Sequence, residues 1–575
     1  MHNSEVKNCQ NCKKDFTIES EDFNFYEKIK VPPPTFCPHC RFVRRMIWRN
    51  ERSLYKRSCD MCKKNIISMY DDGVPFPVYC PECWWSDAWD PGKYNQKYDF
   101  SKNFFKQWQE LFNTIPRQSL WKIGKNLNSE YCNYVKDVKD VYLSYSTLLG
   151  SESVYFSSNI DNSKEIVDSY NIINSQLLYQ NIGSTKNYNC QYSYWSSSCI
   201  DSNFILDCIN CQNCFGCVNL RNKNYCIWNK QFSREEYLKK IKDFNIGSYK
   251  FTQKTFTKFW NFSLGFPRKY GRIINCVNSN GDELLDSKNL SYSFKGHDNH
   301  NIKYGYRITH AKDSMDVCHS WAELAYEHSS GGSENGSNVK FVVNGAPALN
   351  NVEYTDVCRS SSYLFGCIAL KNRKYCILNK QYEKEEYFEM VEKIKKHMDE
   401  MPYTDKRGRI YKYGEFFPYE FCPHGYNESV TNDHFPLTKE EIIEKGYPYK
   451  EKVDNKYVIT LKAKDISDNI KDIDDSILDE VIECEKSGRA FKLTKFELEF
   501  YKRMNIPIPR FHPDERNKER MKLKNPMKLW HRQCMCDKIS HFHGDKHCEV
   551  EFETSYAPDR PEIVFCEKCY QQEVY

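Results

Sequence analysis

The sequence between about residues 128 and 230 alternates short apolar pieces with polar turns. Tyr, Val, Ile and Ser recur in the pieces, and Asn-Ser, Asp-Asn and Gly-Ser pairs separate them. The centres of the pieces lie about eleven or twelve residues apart, a spacing typical of stacked short strands with Asn-rich turns. We therefore predict a parallel β-solenoid, with an antiparallel sandwich as the alternative. The pieces span 138–145, 154–157, 166–170, 177–180, 188–192 and 204–207.

This region is one half of an internal duplication. The segment 215–231 recurs as 365–381, and both copies continue into Glu-Glu-Tyr and then into the pattern of an amphipathic helix. Ser233 and Glu236 fit a capping box at the start of the first helix. We predict two related β-rich units, at 126–247 and 248–400, each closed by a helix. Strand-like pieces of the second unit span 302–306, 324–326, 339–343 and 352–357.

The unusual feature of the composition is the number of cysteines. The chain has 575 residues, a length that predicts several domains, and 28 of its residues are cysteine. A mean hydropathy of −0.76 and the lack of a long apolar run exclude a membrane protein, and we expect a cytoplasmic one. Because thiols stay reduced in the cytosol, closely spaced cysteines there are more often metal ligands than disulfides.

Two double C-x-x-C motifs begin the chain. Each pair of cysteines can aim two sulfur atoms at one ion from a single tight turn, and two pairs complete a closed tetrahedral site suited to zinc. Such a site has no open position for a catalytic water, so its role is structural. An iron centre of the same ligand set and a site that has lost its metal are the alternatives. The predicted ligands are Cys9, Cys12, Cys37 and Cys40 in the first site, and Cys59, Cys62, Cys80 and Cys83 in the second.

Residues from about 5 to 46 resemble the bacterial family called the probable zinc-ribbon domain. The likeness rests on Cys9-Gln-Asn-Cys12, Phe25-Tyr26, Pro32-Pro33-Pro34 and Cys37-Pro-His-Cys40-Arg41. Lys13 stands where that family usually has glycine. The resemblance implies a zinc-dependent ribbon fold and no particular activity. More broadly, the chain resembles bacterial proteins that carry several such ribbons.

The segment that connects the two motifs is strongly basic and carries interleaved Trp48 and Tyr55. Arginine beside aromatic rings suits phosphate contacts and base stacking, so RNA, DNA or a nucleoprotein complex is a candidate partner. The alternative is a helix that links two ribbons and packs its apolar side beneath them. A net charge of +5 is too small for the whole chain to act as a polycation, so any such contact is local. The candidate contacts are Arg41, Arg44, Arg45, Arg49, Arg52, Lys56 and Arg57.

A second duplication relates the two ends of the chain at a separation of 475 positions. It places Cys484 on Cys9 and Cys534 on Cys59, with no gap between them, and predicts a second double ribbon. Its first half, about 481–521, is degenerate, because Ser487, His512 and Glu515 replace the other three cysteines. We expect that half to bind no metal and to be held by its apolar core; a metal site of Cys484, His512 and Glu515 is the alternative.

The last ribbon keeps four thiols at altered spacing: Cys534, Cys536, Cys566 and Cys569. We expect one zinc ion there, held by Cys536, Cys566, Cys569 and one further group. A histidine or cysteine of the intervening loop is able to replace Cys534 as a ligand. The chain as a whole is then predicted to bind about three zinc ions. The loop candidates are His541, His543, His547 and Cys548.

The centre offers little sign of catalysis. The run Cys208, Cys211, Cys214 and Cys217 lacks ferredoxin spacing, and buried thiols are a natural filling for stacked coils. Phosphate-loop, dinucleotide, nucleophile-elbow and zinc-protease motifs are absent from the sequence, and we predict no catalytic residue. Histidines and acids between His297 and His328 are the place where catalysis would lie if there were any, although a polar loop-rich insertion explains them better.

We therefore predict a mainly β, multidomain protein with zinc ribbons at both ends and a duplicated, solenoid-like centre with short helices. A zinc-binding, non-catalytic scaffold that contacts nucleic acid or a nucleoprotein is the favoured function. The alternatives are an enzyme that processes carbohydrate or nucleic acid on the solenoid face, and a purely structural assembly protein. The predicted domains are 1–57 with the basic linker, 58–125 with a helical connector, 126–247, 248–400, a linker 401–480, 481–530 and 531–575.

Overall fold

Every third side chain in the centre of the chain points towards the axis of a β-solenoid. The computed structural model describes residues 3–451 and 457–575. Between Val154 and Leu178 the inward residues are alternately aliphatic and serine, and all are buried. The residue before each inward one is left-handed, with φ between 44° and 61° from Ser153 to Gln180. A left-handed residue in every triplet turns the chain through a corner, so four triplets close one coil.

The first solenoid covers residues 122–231. Its strands pair in parallel with partners twelve residues further along, as Val154 pairs with Ile166 and Ile166 with Leu178. A short antiparallel hairpin ends it. This arrangement confirms the predicted parallel solenoid. The strands are Lys122–Ile123, Asn133–Lys136, Lys139–Tyr142, Tyr145–Leu148, Glu152–Tyr155, Ser158–Asp161, Lys164–Val167, Tyr170–Ile173, Gln176–Tyr179, Ile182–Thr185, Tyr188–Tyr194, Asn203–Leu206, Gln212–Val218, Asn224–Ile227 and Lys230–Gln231.

The second solenoid covers residues 273–381 and repeats the design. Its strands are also parallel, and it ends in a hairpin equivalent to that of the first. Its core is a separate apolar cluster along its own axis. The strands are Ile273–Ile274, Gly281–Leu285, Lys288–Ser291, Ser293–His297, His300–Thr309, Lys312–Cys318, Glu323–Ser330, Ser337–Asn344, Leu349–Thr355, Ser361–Phe365, Lys374–Ile377 and Lys380–Gln381.

Hydrogen-bond ladders inside and outside the coils supplement the narrow apolar core along each solenoid axis. Inside, Ser157 Oγ donates to the Tyr155 carbonyl at 2.9 Å and accepts from the Ser169 N–H of the next coil at 3.0 Å. Outside, Asn162 Nδ2 donates to Asn174 Oδ1 at 2.7 Å, and equivalent pairs recur one coil apart. Serine and asparagine can therefore line a coil where a neighbouring coil supplies their hydrogen-bond partners.

Four ribbons flank the solenoids: ribbon 1 (residues 5–46), ribbon 2 (55–85), ribbon 3 (482–522) and ribbon 4 (530–574). Each begins with an antiparallel pair of short strands and ends in a helix. The strand pairs are Glu5–Asn8 with Asp15–Ile18, Tyr55–Ser58 with Asn65–Ser68, Ile482–Glu483 with Ala490–Phe491, and Trp530–Gln533 with Glu551–Thr554.

The helices are short and serve the ribbons, the connectors and the ends of the solenoids. Proline at the first position and a cysteine N-cap start the ribbon helices at Cys37 and Cys80. The helices are α1 (Ser20–Ile29), α2 (Pro38–Met46), α3 (Pro81–Trp85), α4 (Phe104–Phe112), α5 (Arg234–Lys242), α6 (Tyr249–Ser263), α7 (Lys384–Glu400), α8 (Val430–His434), α9 (Lys439–Glu444), α10 (Lys495–Arg503), α11 (Pro513–Lys522) and α12 (Glu567–Val574). None of these described helices is long and apolar enough to cross a bilayer.

The ribbons dock crosswise on the two solenoids. Ribbon 1 packs on the second solenoid, where Tyr26 Oη lies 3.3 Å from Met315 Sδ. Ribbon 3 packs on the first solenoid, where the Tyr501 and Tyr179 rings meet with centroids 5.8 Å apart. Ribbon 2 pairs through Val78–Tyr79 with Arg117–Gln118, just before the first solenoid, and ribbon 4 pairs through Val564–Phe565 with Arg268–Lys269, just before the second. Each end of the chain thus contacts both solenoids, and ribbons 1 and 3 dock on opposite ones.

The connector between α7 and ribbon 3 fills the space around ribbon 1. Glu415 accepts from the Thr35 backbone N–H at 2.9 Å, and Tyr419 Oη donates to the Cys40 carbonyl at 2.9 Å. Trp108 of α4 and Phe417 of the connector pack with ring centroids 4.1 Å apart. Ribbon 1, the connector and the second solenoid therefore share one apolar cluster. Other short strands are Tyr403–Thr404, Ile410–Tyr411 and Leu461–Lys462.

Candidate metal centres

Ribbon 1 gathers its four thiols at the end of its hairpin. Cys9 and Cys12 lie in the tight turn between its strands, and Cys37 caps α2, with Cys40 in the first turn of that helix. The Cys37 backbone N–H donates to Cys9 Sγ at 3.2 Å, and Cys12 Sγ lies 3.7 Å from Cys37 Sγ. All four sulfur atoms lie within 4.8 Å of one another. Hydrogen bonds from the Cys37 and Cys40 thiols hold the pKa of Cys9 far below its ordinary value. A thiolate surrounded by three further thiols is the donor set of a closed tetrahedral metal site.

Ribbon 2 repeats this geometry. The Cys80 N–H donates to Cys59 Sγ at 3.3 Å, and Cys62 Sγ lies 3.8 Å from Cys80 Sγ. Together with Cys83 these thiols form a second group whose sulfur atoms lie within 4.8 Å of one another. Burial alone would raise the pKa of Cys59, but backbone N–H groups around it lower that pKa to about 7. The turn therefore favours the thiolate form that a metal ion requires.

Ribbon 3 keeps the shape of ribbon 1 without its thiols. The His512 N–H donates to Cys484 Sγ at 3.2 Å, as Cys37 does to Cys9, and Gly488 has a left-handed φ of 69° where Lys13 has 60°. Among the residues that the structure describes, Cys484 belongs to no group of converging metal-ligating atoms. Burial lowers the pKa of His512 to about 4, and its neutral Nδ1 accepts the Asp514 N–H at the start of α11. Helix capping thus takes the place of metal ligation.

Ribbon 4 differs from the expected arrangement. The group with ribbon geometry is Cys534, Cys548, Cys566 and Cys569, whereas Cys536 lies with His541, His543 and Cys569. Cys534 is therefore retained and Cys548, not Cys536, is the fourth thiol. The spacing gives the reason: Cys536 follows Cys534 by two positions instead of three, so it does not occupy the second place of the C-x-x-C turn. The inserted loop instead returns to the strand, since the Cys548 N–H donates to the Cys536 carbonyl at 3.0 Å, and delivers a thiol to the vacated position.

Arginines of the basic segment lie in the interior of the molecule. Arg41 Nε is 2.8 Å from Asp316 Oδ2, and Arg45 Nη1 is 3.0 Å from the other oxygen of the same carboxylate. Arg44 bridges Glu327 and Glu415 at 2.8 and 2.7 Å. Burial opposes these charges, but the facing carboxylates raise the pKa of Arg44 above its ordinary value. These guanidinium groups face the second solenoid and the connector, and not solvent.

The other predicted nucleic-acid contacts differ in burial and in the groups that they contact. Arg49 is buried and lies 2.6 Å from Glu51, and its guanidinium covers the Tyr134 ring at 3.7 Å. Arg57 donates to the Asp71 carbonyl at 2.7 Å, and Arg52 lies partly buried beside Asp514. Lys56 is exposed. The sequence left a nucleic-acid surface and a packed linking segment equally open. The structure buries Arg41, Arg44, Arg45 and Arg49 in contacts within the molecule, so these four side chains do not contribute to a contiguous basic surface.

Ribbon 3 uses the equivalent arginines in the same way. Arg516 and Arg520, which lie 475 positions after Arg41 and Arg45, both pair with Asp168 of the first solenoid. Arg520 Nη1 lies 2.7 Å from Asp168 Oδ1, and its Nη2 donates to the Phe156 carbonyl at 2.9 Å. We call each set of two arginines and one aspartate a clamp. The sequence analysis did not single out Asp168. It included Asp316 among the acids between His297 and His328, where any catalysis would lie, and did not predict its pairing with the ribbon arginines.

The central cysteines are part of the solenoid filling. Cys208, Cys211, Cys214 and Cys217 occupy four successive inward positions, so they face the axis from the four sides of one coil. Cys208 Sγ donates to the carbonyls of Leu206 and Cys217, both at 3.6 Å. Within the described residues these thiols form none of the metal-ligating groups. The run that looked like a ferredoxin motif is thus a period of three imposed by the triplet coil.

Histidines of the second solenoid do not form one site. His297 and His310 are exposed and face Asp286 and Asp298 across the surface. His328 is buried inside the coil, where its Nε2 lies 3.0 Å from Ser333 Oγ, and burial lowers its pKa to about 4. His319 lines a small buried cavity between the solenoids. These side chains are therefore not assembled for joint acid–base catalysis.

Comparisons with known proteins do not extend this description. No protein-family model matches the chain, and no curated protein matches it. The similarity to the probable zinc-ribbon family therefore depends on the motif residues of ribbon 1 and on the convergence of its four thiols.

Proposed function

We propose that this protein is a zinc-dependent, non-catalytic scaffold in which the ribbons lock two β-solenoids into one body. The observation that carries the proposal is the matched pair of clamps, Arg41 and Arg45 on Asp316, and Arg516 and Arg520 on Asp168. Both use the last helix of a ribbon, α2 in ribbon 1 and α11 in ribbon 3, and bury its charges against a solenoid. The basic residues of these ribbons are buried in ion pairs with the solenoids, so we infer that the ribbons hold the molecule together rather than bind a ligand.

Zinc is the metal that best suits these donors. Thiolate groups without carboxylate or water are typical of structural zinc, and closed four-sulfur sites fold the segment that carries them. Ribbon 1 and ribbon 2 lie next to one another at one end of the sequence, and each has a core too small to be stable without a cross-link. Metal binding then stabilises the ribbons, and the ribbons stabilise the contact between the solenoids.

Removing the metal tests the proposal. We expect the purified chain to carry zinc by elemental analysis, and a strong chelator under reducing conditions to lower the thermal midpoint and expose ribbon 1 to protease. Cys62→Ser should remove one zinc ion and have the same effect locally. Cys276→Ser is the matched control, because Cys276 lies outside all the converging groups and donates only to the Ile274 carbonyl. A chelated protein that melts and resists protease like the untreated one contradicts the proposal.

The same preparation tests whether nucleic acid is a partner. Binding through surface lysines falls steeply with salt, and Lys56 is the exposed member of the basic segment. Binding of RNA or DNA that weakens with salt and with Lys56→Glu would extend the scaffold to a nucleic-acid role. If no binding is detected, or if binding changes neither with salt nor with Lys56→Glu, the ribbons are left with the structural role of holding the solenoids together.

A further inference from the structure

We propose that ribbon 4 holds two zinc ions that share one ligand, the thiolate of Cys569. This inference rests on the metal-binding part of the proposed function and adds a site that the ribbon pattern does not contain. Two groups of four ligand atoms converge there, and Cys569 Sγ belongs to both. One group is Cys534, Cys548, Cys566 and Cys569, and the other is Cys536, His541, His543 and Cys569.

The first group is the ordinary ribbon site. The Cys566 N–H donates to Cys534 Sγ at 3.2 Å, the same bond that orients the first cysteine in the other ribbons. Cys548 Sγ lies 3.9 Å from Cys566 Sγ, close to the separation of two sulfurs bound to one zinc ion. All four cysteines are buried.

In the second group, hydrogen-bond partners orient both histidine rings as they do in known zinc sites. His541 Nδ1 lies 3.1 Å from Cys536 Sγ, and His543 Nε2 lies 3.4 Å from the same sulfur. The opposite nitrogen of each ring has its own partner: His541 Nε2 faces the Glu573 carboxylate at 3.3 Å, and His543 Nδ1 faces the Lys546 carbonyl at 2.6 Å. Histidine ligands of zinc almost always donate their second N–H to a carboxylate or carbonyl in this manner. The outer contacts thus fix which nitrogen of each ring faces the cysteines.

Charge balance also favours the shared thiolate. One zinc ion in the first group leaves four thiolates around two positive charges, with Cys536 a further thiol beside them. A second ion brings two more positive charges to five thiolates and two neutral imidazoles, so the net charge of the centre falls in magnitude. Cys569 is the one sulfur placed to contact both ions, because it converges with each group while the other cysteines converge with one.

Zinc stoichiometry and zinc absorption spectroscopy on the full chain test the inference. Four ions per chain are expected, one each in ribbons 1 and 2 and two in ribbon 4. The average zinc environment should include a nitrogen shell at about 2.0–2.1 Å beside sulfur at about 2.3 Å. Two ions bound to one sulfur must lie closer than about 4.6 Å, twice that Zn–S length, so a zinc–zinc contribution below this limit is expected.

Substitutions separate the two ions. His541→Asn should lower the count from four to three and remove the nitrogen shell, whereas Cys569→Ser should weaken both ions of ribbon 4. His547→Asn is the matched control, since His547 is exposed in the same loop and belongs to neither group. A wild-type count of three with sulfur-only coordination overturns the shared-thiolate centre and leaves the scaffold intact. A chain without zinc in ribbons 1 and 2 contradicts the proposed function instead, and the wild-type spectra decide the question even if a variant fails to fold.

Discussion

Arg41 and Asp316 are 275 residues apart in the sequence and form a fully buried ion pair, with 2.8 Å between Nε and Oδ2. The aspartate occupies a left-handed corner of the second solenoid, with φ of 57°, which presents its carboxylate outward to the ribbon helix. Asp168, with φ of 51°, does the same for Arg516 on the first solenoid. Aspartate suits this corner because it tolerates left-handed backbone better than most residues.

Loss of a clamp carboxylate should destabilise the protein strongly. Asp316→Ala removes the nearest carboxylate of Arg41 and Arg45 and leaves both buried guanidinium groups with Glu327, at 3.9 and 3.1 Å. Breaking a buried pair from one side costs about 3–5 kcal/mol, and Glu327 should reduce that loss only in part. Asp313→Ala is the control from the same solenoid: Asp313 pairs with Lys28 at the surface, and such pairs contribute less than about 1 kcal/mol. Urea unfolding of both variants measures the difference. Equal, small losses would mean that the clamp does not hold the ribbon.

The inward thiols of the solenoids should resist alkylation until the protein unfolds. Burial raises the pKa of Cys190 to about 12 and that of Cys376 to about 11, and only the thiolate reacts. Under the proposed metal binding the exposed ribbon thiols, Cys12 and Cys62, are protected as ligands, so the partly exposed Cys276 should react first in the native protein. Mass-spectrometric mapping after timed iodoacetamide treatment gives the order. Native-state labelling of Cys190 as fast as Cys276 would show that the coils open or that the thiol serves another purpose.

Histidine at the interface between ribbon 2 and the connector should make the protein sensitive to acid. His424 is buried and stacks on Tyr70 with ring centroids 5.2 Å apart, and burial lowers its pKa to about 3. Because the pKa is depressed on folding, the stabilisation is complete above about pH 6.5 and is lost as the pH falls towards 3. The slope for one such group is about 1.4 kcal/mol per pH unit.

His424→Phe should flatten this pH dependence. Phenylalanine keeps the stack on Tyr70 but cannot bind a proton, so the variant should lose less stability than the wild type between pH 6.5 and 5. Lys450 and Asp71 are the charged groups near the ring and are unchanged in the variant. Unfolding is best followed in excess zinc, which keeps the ribbons loaded. Parallel curves for the two proteins would rule out His424 as the titrating group.

A glycine exchange between ribbons 1 and 3 should change stability in opposite directions. Lys13 has a left-handed φ of 60°, whereas its counterpart Gly488 has 69° and open space where a side chain would begin. Left-handed backbone costs a residue other than glycine about 1–2 kcal/mol. Gly488→Lys should therefore cost about 1 kcal/mol. Lys13→Gly should gain slightly less, since the Lys13 side chain also donates to the Gln10 carbonyl at 2.8 Å. Denaturant midpoints that shift in the same direction would contradict this account.

Sequence reasoning reached the solenoid and the converging thiols of ribbons 1 and 2 because both depend on short, regular spacings. The spacing of about twelve residues was recognised in the sequence, but the three-residue repeat within it was not. The inward positions alternate between polar and apolar residues, so no hydrophobic period of three is visible. The clamps could not be predicted from the sequence. Asp168 and Asp316 resemble ordinary turn residues, and their role depends on a ribbon helix that packs on them from a distant part of the chain. Which residues converge in ribbon 4 depends on the path of the inserted loop that brings Cys548 back to the strand, and the spacing of the cysteines does not determine that path.

Crosswise docking has a consequence for the order in which this chain can fold. Ribbon 1 is synthesised well before the residues that it contacts, because Arg44 pairs with Glu415, 371 residues later. Asp168, in turn, has to wait for Arg516, 348 residues later. Nascent ribbons would therefore depend on metal alone while most of the chain is still being made, and the buried arginines would be the last contacts to close. Under the proposed metal binding, the metal supply during translation, more than in the finished protein, would then limit the yield of folded molecules.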